Sequence, residues 1–122
     1  MTKTSARPTA RRLVPRHKVW LNWGSSFLLG PNYLRFFEAI ERAGTIREAA
    51  KAAGWSYRTG LNRVRRVESV LGRPVLVTTR GGTAHGGARL TPEIRRIVKV
   101  FSRWREEMHR VADSAFRRVS RG

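Results

Sequence analysis

Residues 45–71 read TIREAAKAAGWSYRTGLNRVRRVESVL, an alanine-rich segment, a Gly-Trp-Ser break and a longer segment loaded with arginine. Thr45 is placed to accept from the backbone N–H three residues on, and Glu48 to reach back to it, which is a capping box. The alanine-rich run Glu48 to Ala53 continues a helix at little entropic cost. Gly54 enters the left-handed region without a steric penalty, so it ends that helix and turns the chain, and Ser56 caps the next.

On a 3.6-residue wheel, Gly60, Val64, Val67 and Leu71 share one face of the second helix, while Arg58, Asn62, Arg65, Arg66 and Ser69 lie on the opposite one. The first face packs and the second is available for recognition. A tightly crossed helix pair whose second member carries Arg and Asn outward fits the major groove of DNA, where Arg suits guanine and Asn suits adenine. The competing interpretation is an amphipathic helix whose basic face is merely solvated.

Composition points the same way. The chain has 122 residues, enough for one domain with tails, and carries 26 Lys and Arg against 8 Asp and Glu, a formal charge of +18. Such an excess repels itself unless an acidic polymer is a partner, and nucleic acid is that polymer. The excess is mostly arginine, since only Lys3, Lys18, Lys51 and Lys99 are lysines, and the guanidinium fork binds phosphate and guanine bidentately where an ammonium cannot. There is no cysteine, hence no disulfide, thiolate metal site or cysteine nucleophile, which is compatible with a reducing cytoplasm, the expected location. No apolar run approaches a membrane span, so no membrane partner is expected.

Residues 1–18 contain Arg7, Arg11, Arg12 and Arg16, two prolines and no acid, and read as a flexible basic arm with general affinity for phosphate. Next, VWLNWGSSFLL from Val19 to Leu29 suits two short strands joined at Gly24-Ser25-Ser26. Trp20 and Trp23 would not share one strand face, and are expected to pack on neighbouring helices. Pro31 then opens a helix running to Ala43, whose Phe36, Phe37 and Ile40 anchor the core. After the central pair, Gly72-Arg73-Pro74 stops the chain's third helix and Val75 to Thr79 is a β-branched strand. The loop from Arg80 to Thr91 has four glycines in seven positions, Gly81 to Gly87, between basic flanks. It lacks the Gly-Lys-Ser/Thr ending of a phosphate-binding P-loop and reads as a wing beside the recognition helix.

Thr91-Pro92-Glu93 opens the last helix, with Thr91 as its cap. Ile94, Ile97, Phe101, Trp104, Met108, Val111 and Ala115 recur there at alternating spacings of three and four, a heptad seam. A second copy of the chain is the expected occupant of that seam, giving a two-fold homodimer. The alternative is a helix folded back on its own core. Arg117, Arg118 and Arg121 would form a basic, frayed end.

No catalytic constellation can be assembled. His17, His85 and His109 sit at no metal-ligand spacing and read as solvated, and the few carboxylates fall at caps or helical faces beside basic partners. An enzyme, a metal and a cofactor are therefore not expected.

The order of the pieces carries a resemblance: Gly44-Thr45-Ile46, then Gly54-Trp55-Ser56-Tyr57-Arg58, then Leu71-Gly72-Arg73-Pro74, then Gly81-Gly82 through Gly86-Gly87-Ala88-Arg89-Leu90-Thr91-Pro92. Over roughly Val19 to Met108 the chain resembles the N-terminal winged-helix domain of ModE-type molybdate-responsive regulators and, more distantly, the DNA-binding domain of LysR-type regulators. The resemblance implies a mainly α fold with small β elements: a leading β-hairpin, a winged helix-turn-helix, a β-wing and a long C-terminal dimerisation helix. It also implies transcription control through a palindromic site, with Ser56, Tyr57, Arg58, Thr59 and Asn62 in the groove and Thr83 to Arg89 as the wing. ModE relatives carry an oxyanion-binding domain after the dimer helix, whereas this sequence stops at Gly122, so neither molybdate sensing nor another small-molecule ligand is expected.

The expected layout is a basic arm at 1–18, a winged helix-turn-helix at 19–91, a dimerisation helix at 92–118 and a basic tail at 119–122. The expected function is sequence-specific regulation of transcription by a homodimer on double-stranded DNA. DNA contacts are assigned to Ser56, Tyr57, Arg58, Thr59, Asn62, Arg63, Arg65 and Arg66, with Arg80, His85 and Arg89 on the wing. The dimer interface is assigned to the seven seam residues Ile94 to Ala115. The rival is an architectural nucleoid protein that bends or coats DNA with little sequence preference, for which the extreme charge argues.

Overall fold

The structure is a computed structural model that describes residues 12–79 and 87–121. Its elements run β1 (Leu21–Trp23), β2 (Ser26–Leu29), α1 (Pro31–Ala43), α2 (Ile46–Ala53), α3 (Tyr57–Leu71), β3 (Leu76–Thr79), β4 (Gly87–Leu90) and α4 (Pro92–Arg121). This is the mainly α winged helix-turn-helix that the sequence predicts, with a leading hairpin and a long final helix. Among the described residues, no helix is long and apolar enough to cross a membrane.

The helix starts follow the local chemistry. Thr45 Oγ1 accepts from the Glu48 amide at 3.2 Å, and Ser56 Oγ accepts from the Thr59 amide at 3.1 Å. The reciprocal half of the first capping box is not made, because the Glu48 carboxylate lies 3.8 Å from the Lys51 ammonium. Gly54 takes a φ of 78°, and its amide turns back to Lys51 while that of Trp55 donates to Ala50 O, so a left-handed residue separates α2 from α3.

The crossing of α2 and α3 depends on Gly60. A Cβ built there would lie 3.2 Å from Ala50 Cβ and 3.4 Å from Phe36 Cε1, tighter than side chains ordinarily approach. A glycine inside a helix costs about 1 kcal/mol relative to alanine. Here it lets α3 lie directly on α1 and α2, so that Val64, Val67 and Leu71 join the core. That core centres on Phe36, Phe37, Ile40 and Phe101, each fully enclosed and contributing roughly 1.5–3 kcal/mol by removal from water.

Both hairpins are two-stranded, and such units hold only when strapped to something larger. β1 and β2 pair antiparallel with Trp23 opposite Ser26, and Leu28 and Leu29 are buried. Arg66 of α3 fixes this hairpin, with Nη1 donating to Phe27 O at 2.8 Å, Nη2 donating to Leu28 O, and Nε donating to Tyr33 Oη at 2.9 Å. In the wing, β3 pairs antiparallel with β4, Leu76 opposite Leu90 and Thr79 opposite Gly87. Its base is tied by the Ala88 amide to Gly44 O at 2.7 Å, by the Thr91 amide to Val75 O at 2.9 Å and by the Val75 amide to Glu68 Oε2 at 2.9 Å.

Several expectations change. Trp20 and Trp23 do not pack on helices: they are 53% and 47% exposed, because Val19, Leu28 and Leu29 fill the hairpin's inner contact. The Thr91 hydroxyl donates to Pro74 O at 3.1 Å, locking the wing base. Residues 13–18 form neither helix nor strand and bring His17 against His109 of α4, ring centroids 4.4 Å apart, so neither histidine is the solvated group expected. The helix α4 continues to Arg121, since no glycine or proline interrupts it after Pro92 until Gly122.

Two substitutions test this packing. Gly60→Val should lower the free energy of unfolding by about 1–3 kcal/mol through overpacking at Ala50 and Phe36, whereas Gly60→Ala, gaining helix propensity against a milder clash, should stay within about 1 kcal/mol of wild type in urea denaturation. Arg66→Ala should cost about 1.5–3 kcal/mol in the same measurement, by leaving the Tyr33 hydroxyl and two hairpin carbonyls without their charged donor.

Candidate nucleic-acid interface

At 100° per residue α3 divides into distinct stripes. Gly60, Val64, Val67 and Leu71 are buried, as their spacing predicts. Arg58, Asn62, Arg65 and Ser69 are all exposed and fall within about 60° of one another on the far side. The side chains of Arg58, Asn62 and Arg65 make no hydrogen bond or ion pair with any other described residue. Three groups rich in donors thus project from a rigid helix into solvent, which is the preorganisation that base-edge recognition requires.

The flank between these stripes behaves differently, and here the sequence assignment is corrected. Arg66 was grouped with the outward residues, but its guanidinium is turned onto the Phe27 and Leu28 carbonyls and the Tyr33 hydroxyl, beneath the leading hairpin. It also lies 4.9 Å from the Phe27 and Tyr33 ring centroids. The physical reason is length: an arginine eighty degrees or so round from the outward stripe reaches whatever lies beside the helix, and carbonyls without partners lie there. Arg63 is exposed yet sits over the Trp55 and Tyr33 rings, at 5.6 and 5.9 Å, with Nη1 3.4 Å from Tyr33 Oη. Its side chain is braced by the aromatic cluster, in which Tyr33 and Trp55 meet edge to face at 5.1 Å and Trp55 packs 5.4 Å from Phe36.

At the amino end of α3, Ser56 and Thr59 are engaged with each other: the Ser56 hydroxyl donates to Thr59 Oγ1 at 3.1 Å while accepting from the Thr59 amide. Tyr57 remains 44% exposed, and Arg47 of α2 lies 4.9 Å above its ring. Arg47 was not singled out by the sequence reading. Its signal was the cation on the first turn of α2, facing an aromatic at the first turn of α3. On the wing, Arg89 is exposed on β4 opposite Val77. Arg80 and His85 lie outside the described residues.

The helix α4 splits the predicted seam. Ile94, Ile97 and Phe101, assigned to a dimer interface, are buried in the chain's own core, so a second copy cannot reach them. The reason is that α1 and β4 already cover the first turns of α4. Beyond Phe101 the helix leaves the core. Trp104 is 38% exposed and Val111 56% exposed, Met108 and Ala115 are half-buried, and Val100 and Val119 extend the same apolar stripe. The segment carrying His17 shares a cleft with Arg105, His109 and Asp113 on the neighbouring flank of α4.

The molybdenum transport protein ModE of Azotobacter vinelandii is 33% identical over 93 residues, which cover 76% of this chain and 34% of that protein. The transcriptional regulator ModE of Haemophilus influenzae is 28% identical over 76 residues, 62% of this chain and 30% of that protein. The molybdenum-pterin-binding protein MopB of Rhodobacter capsulatus is 33% identical over 73 residues, 60% of this chain and 27% of that protein. The chain therefore spans about a third or less of the length of these relatives. Residues 31–93, from the start of α1 through the start of α4, match the bacterial regulatory helix-turn-helix proteins of the lysR family, and over that half of its length the chain belongs to this family.

Proposed function

We propose that the protein is a transcriptional regulator that binds double-stranded DNA by placing α3 in the major groove. The observation that carries this is the outward stripe of α3. Arg58, Asn62 and Arg65 project together and unengaged, opposite a buried face that fixes the helix's rotation. Arg58 and Asn62 are assigned to base edges, Arg65 and Tyr57 to the groove wall and phosphates, and Ser56 and Thr59 to holding the first turn of α3 and presenting its amides to the backbone. Arg63 is assigned a phosphate contact at the groove's edge. Arg89, on β4, is assigned to the phosphates beside the groove, and Arg80 and His85, outside the described residues, keep the DNA contact expected of them from the sequence.

The protein acts as a homodimer through Trp104, Met108, Val111 and Ala115. The support is an apolar stripe that continues the core line of α4, on which Trp104 and Val111 stay exposed while Met108 and Ala115 are partly covered by the chain itself. A two-fold pair would present two α3 helices to half-sites about one helical turn, roughly 34 Å, apart.

Arg58→Ala and Asn62→Ala should each weaken binding to a preferred duplex by about 1–3 kcal/mol while leaving affinity for unrelated DNA unchanged in fluorescence anisotropy, and equal loss on both would count against direct readout. Trp104→Glu should convert the dimer to a monomer in sedimentation equilibrium without unfolding it, since the side chain is partly solvated; a wild-type chain that sediments as a monomer would contradict the interface.

A further inference from the structure

Away from α3, the segment at residues 15–18 crosses α1 and α4 and encloses a cleft of about 270 Å³. Three separate elements bring cations to it: Arg16 and Lys18 from the segment, Arg35 from α1 and Arg105 from α4. None of the four is within ion-pairing distance of a carboxylate among the described residues, where the ion pairs belong instead to Lys51, Arg73, Arg95 and Arg110. The one acid lining the cleft is Asp113. A concave site with four cations and a single carboxylate concentrates positive potential, because its low-dielectric walls focus the field.

A second observation is independent of the charge count. His17 lines the same cleft, and its Nε2 is shielded from solvent with no hydrogen-bond partner. Its ring is held edge to face by His109. Nε2 is therefore turned away from the solvent-accessible space of the cleft, and the His17 ring forms part of its wall. Arg35 is steadied by Nη1 donating to Asn32 Oδ1 at 2.6 Å, which leaves its other donors available. The helix α1 opens at the same place with no side-chain cap and no acid in its own first turn, so no side chain of that turn offsets its positive end.

We infer that this cleft binds a phosphate group. Guanidinium groups from α1, α4 and the segment before the hairpin, together with the Lys18 ammonium, border one compact volume, and the multiple acceptors of a phosphate satisfy donors arriving from several directions where a single carbonyl could not. The phosphate can belong to a small phosphorylated ligand or to a DNA backbone. In either case it would pin the segment carrying His17 to α1 and α4.

The test is an NMR titration of the full chain with inorganic phosphate, ionic strength being held constant with chloride. The expected result is a saturable shift of the His17 and His109 ring signals and the Arg35 amide, weakened at least roughly tenfold by the double variant Arg35→Gln/Arg105→Gln. Lys18→Gln, on the extended segment and outside the core, provides a second variant should the double one misfold, and its affinity should also fall. Shifts that rise linearly without saturation, that spread evenly over the basic surface, or that are unchanged in the variants would overturn the site. Adding a DNA duplex then separates the sources: displacement of phosphate from the cleft supports the site with a backbone phosphate as its occupant, and simultaneous binding supports it with a separate phosphorylated ligand.

Discussion

The close approach at Gly60 is the constraint from which the rest of the molecule follows. With no side chain at that position, α3 settles within contact distance of Ala50 and Phe36, and its rotation about its own axis is fixed. Val64, Val67 and Leu71 then fall into the core, and the opposite stripe has no alternative but solvent. A helix free to roll by one residue would carry Arg58 and Asn62 a hundred degrees or so away from their present direction. The functional face is therefore set by a packing contact on the side it does not occupy.

The arginines divide by position into builders and presenters. Arg66 binds the leading hairpin to α3 through two carbonyls and a tyrosine hydroxyl, and Arg63 rests on Tyr33 and Trp55. Each helps hold the elements that flank the outward stripe, so that Arg58, Asn62 and Arg65 stand on a rigid support. A charged fork used in this way is partly shielded, and its hydrogen bonds count for more than those of a surface ion pair such as Lys51 with Glu48, which is worth little in water. Glu68 has a comparable role at the other end of α3, where it receives the Val75 amide and fixes the departure of the wing.

Much of this was legible in the sequence because it rests on local rules. Thr45, Gly54 and Ser56 announce the start and stop of α2 and α3 through the needs of the backbone, and the Gly60, Val64, Val67, Leu71 spacing announces the buried face. What could not be read depended on tertiary neighbours. Periodicity places the Cα of Arg66 but not the tip of a side chain several ångströms long, which turned toward carbonyls contributed by residues thirty-odd positions earlier. The heptad seam of α4 is continuous in sequence, yet α1 and β4 claim Ile94, Ile97 and Phe101, and only the part beyond them is open. Nor does any local pattern foretell that His17 and His109 meet, since nothing but the fold brings the segment before the hairpin alongside α4.

The role proposed for Arg58, Asn62 and Arg65 is to read base sequence and not simply to attract phosphate. Selection of bound duplexes from a random pool tests it most directly, run at about 150 mM salt, where a Debye length of roughly 8 Å suppresses diffuse attraction. The expected outcome is a two-fold-symmetric motif whose half-sites lie one helical turn apart, with guanine and adenine enriched where the arginine and asparagine fall. A pool that stays random in sequence while binding weakens steeply with salt would contradict it, leaving a protein that coats or bends DNA through its charge alone.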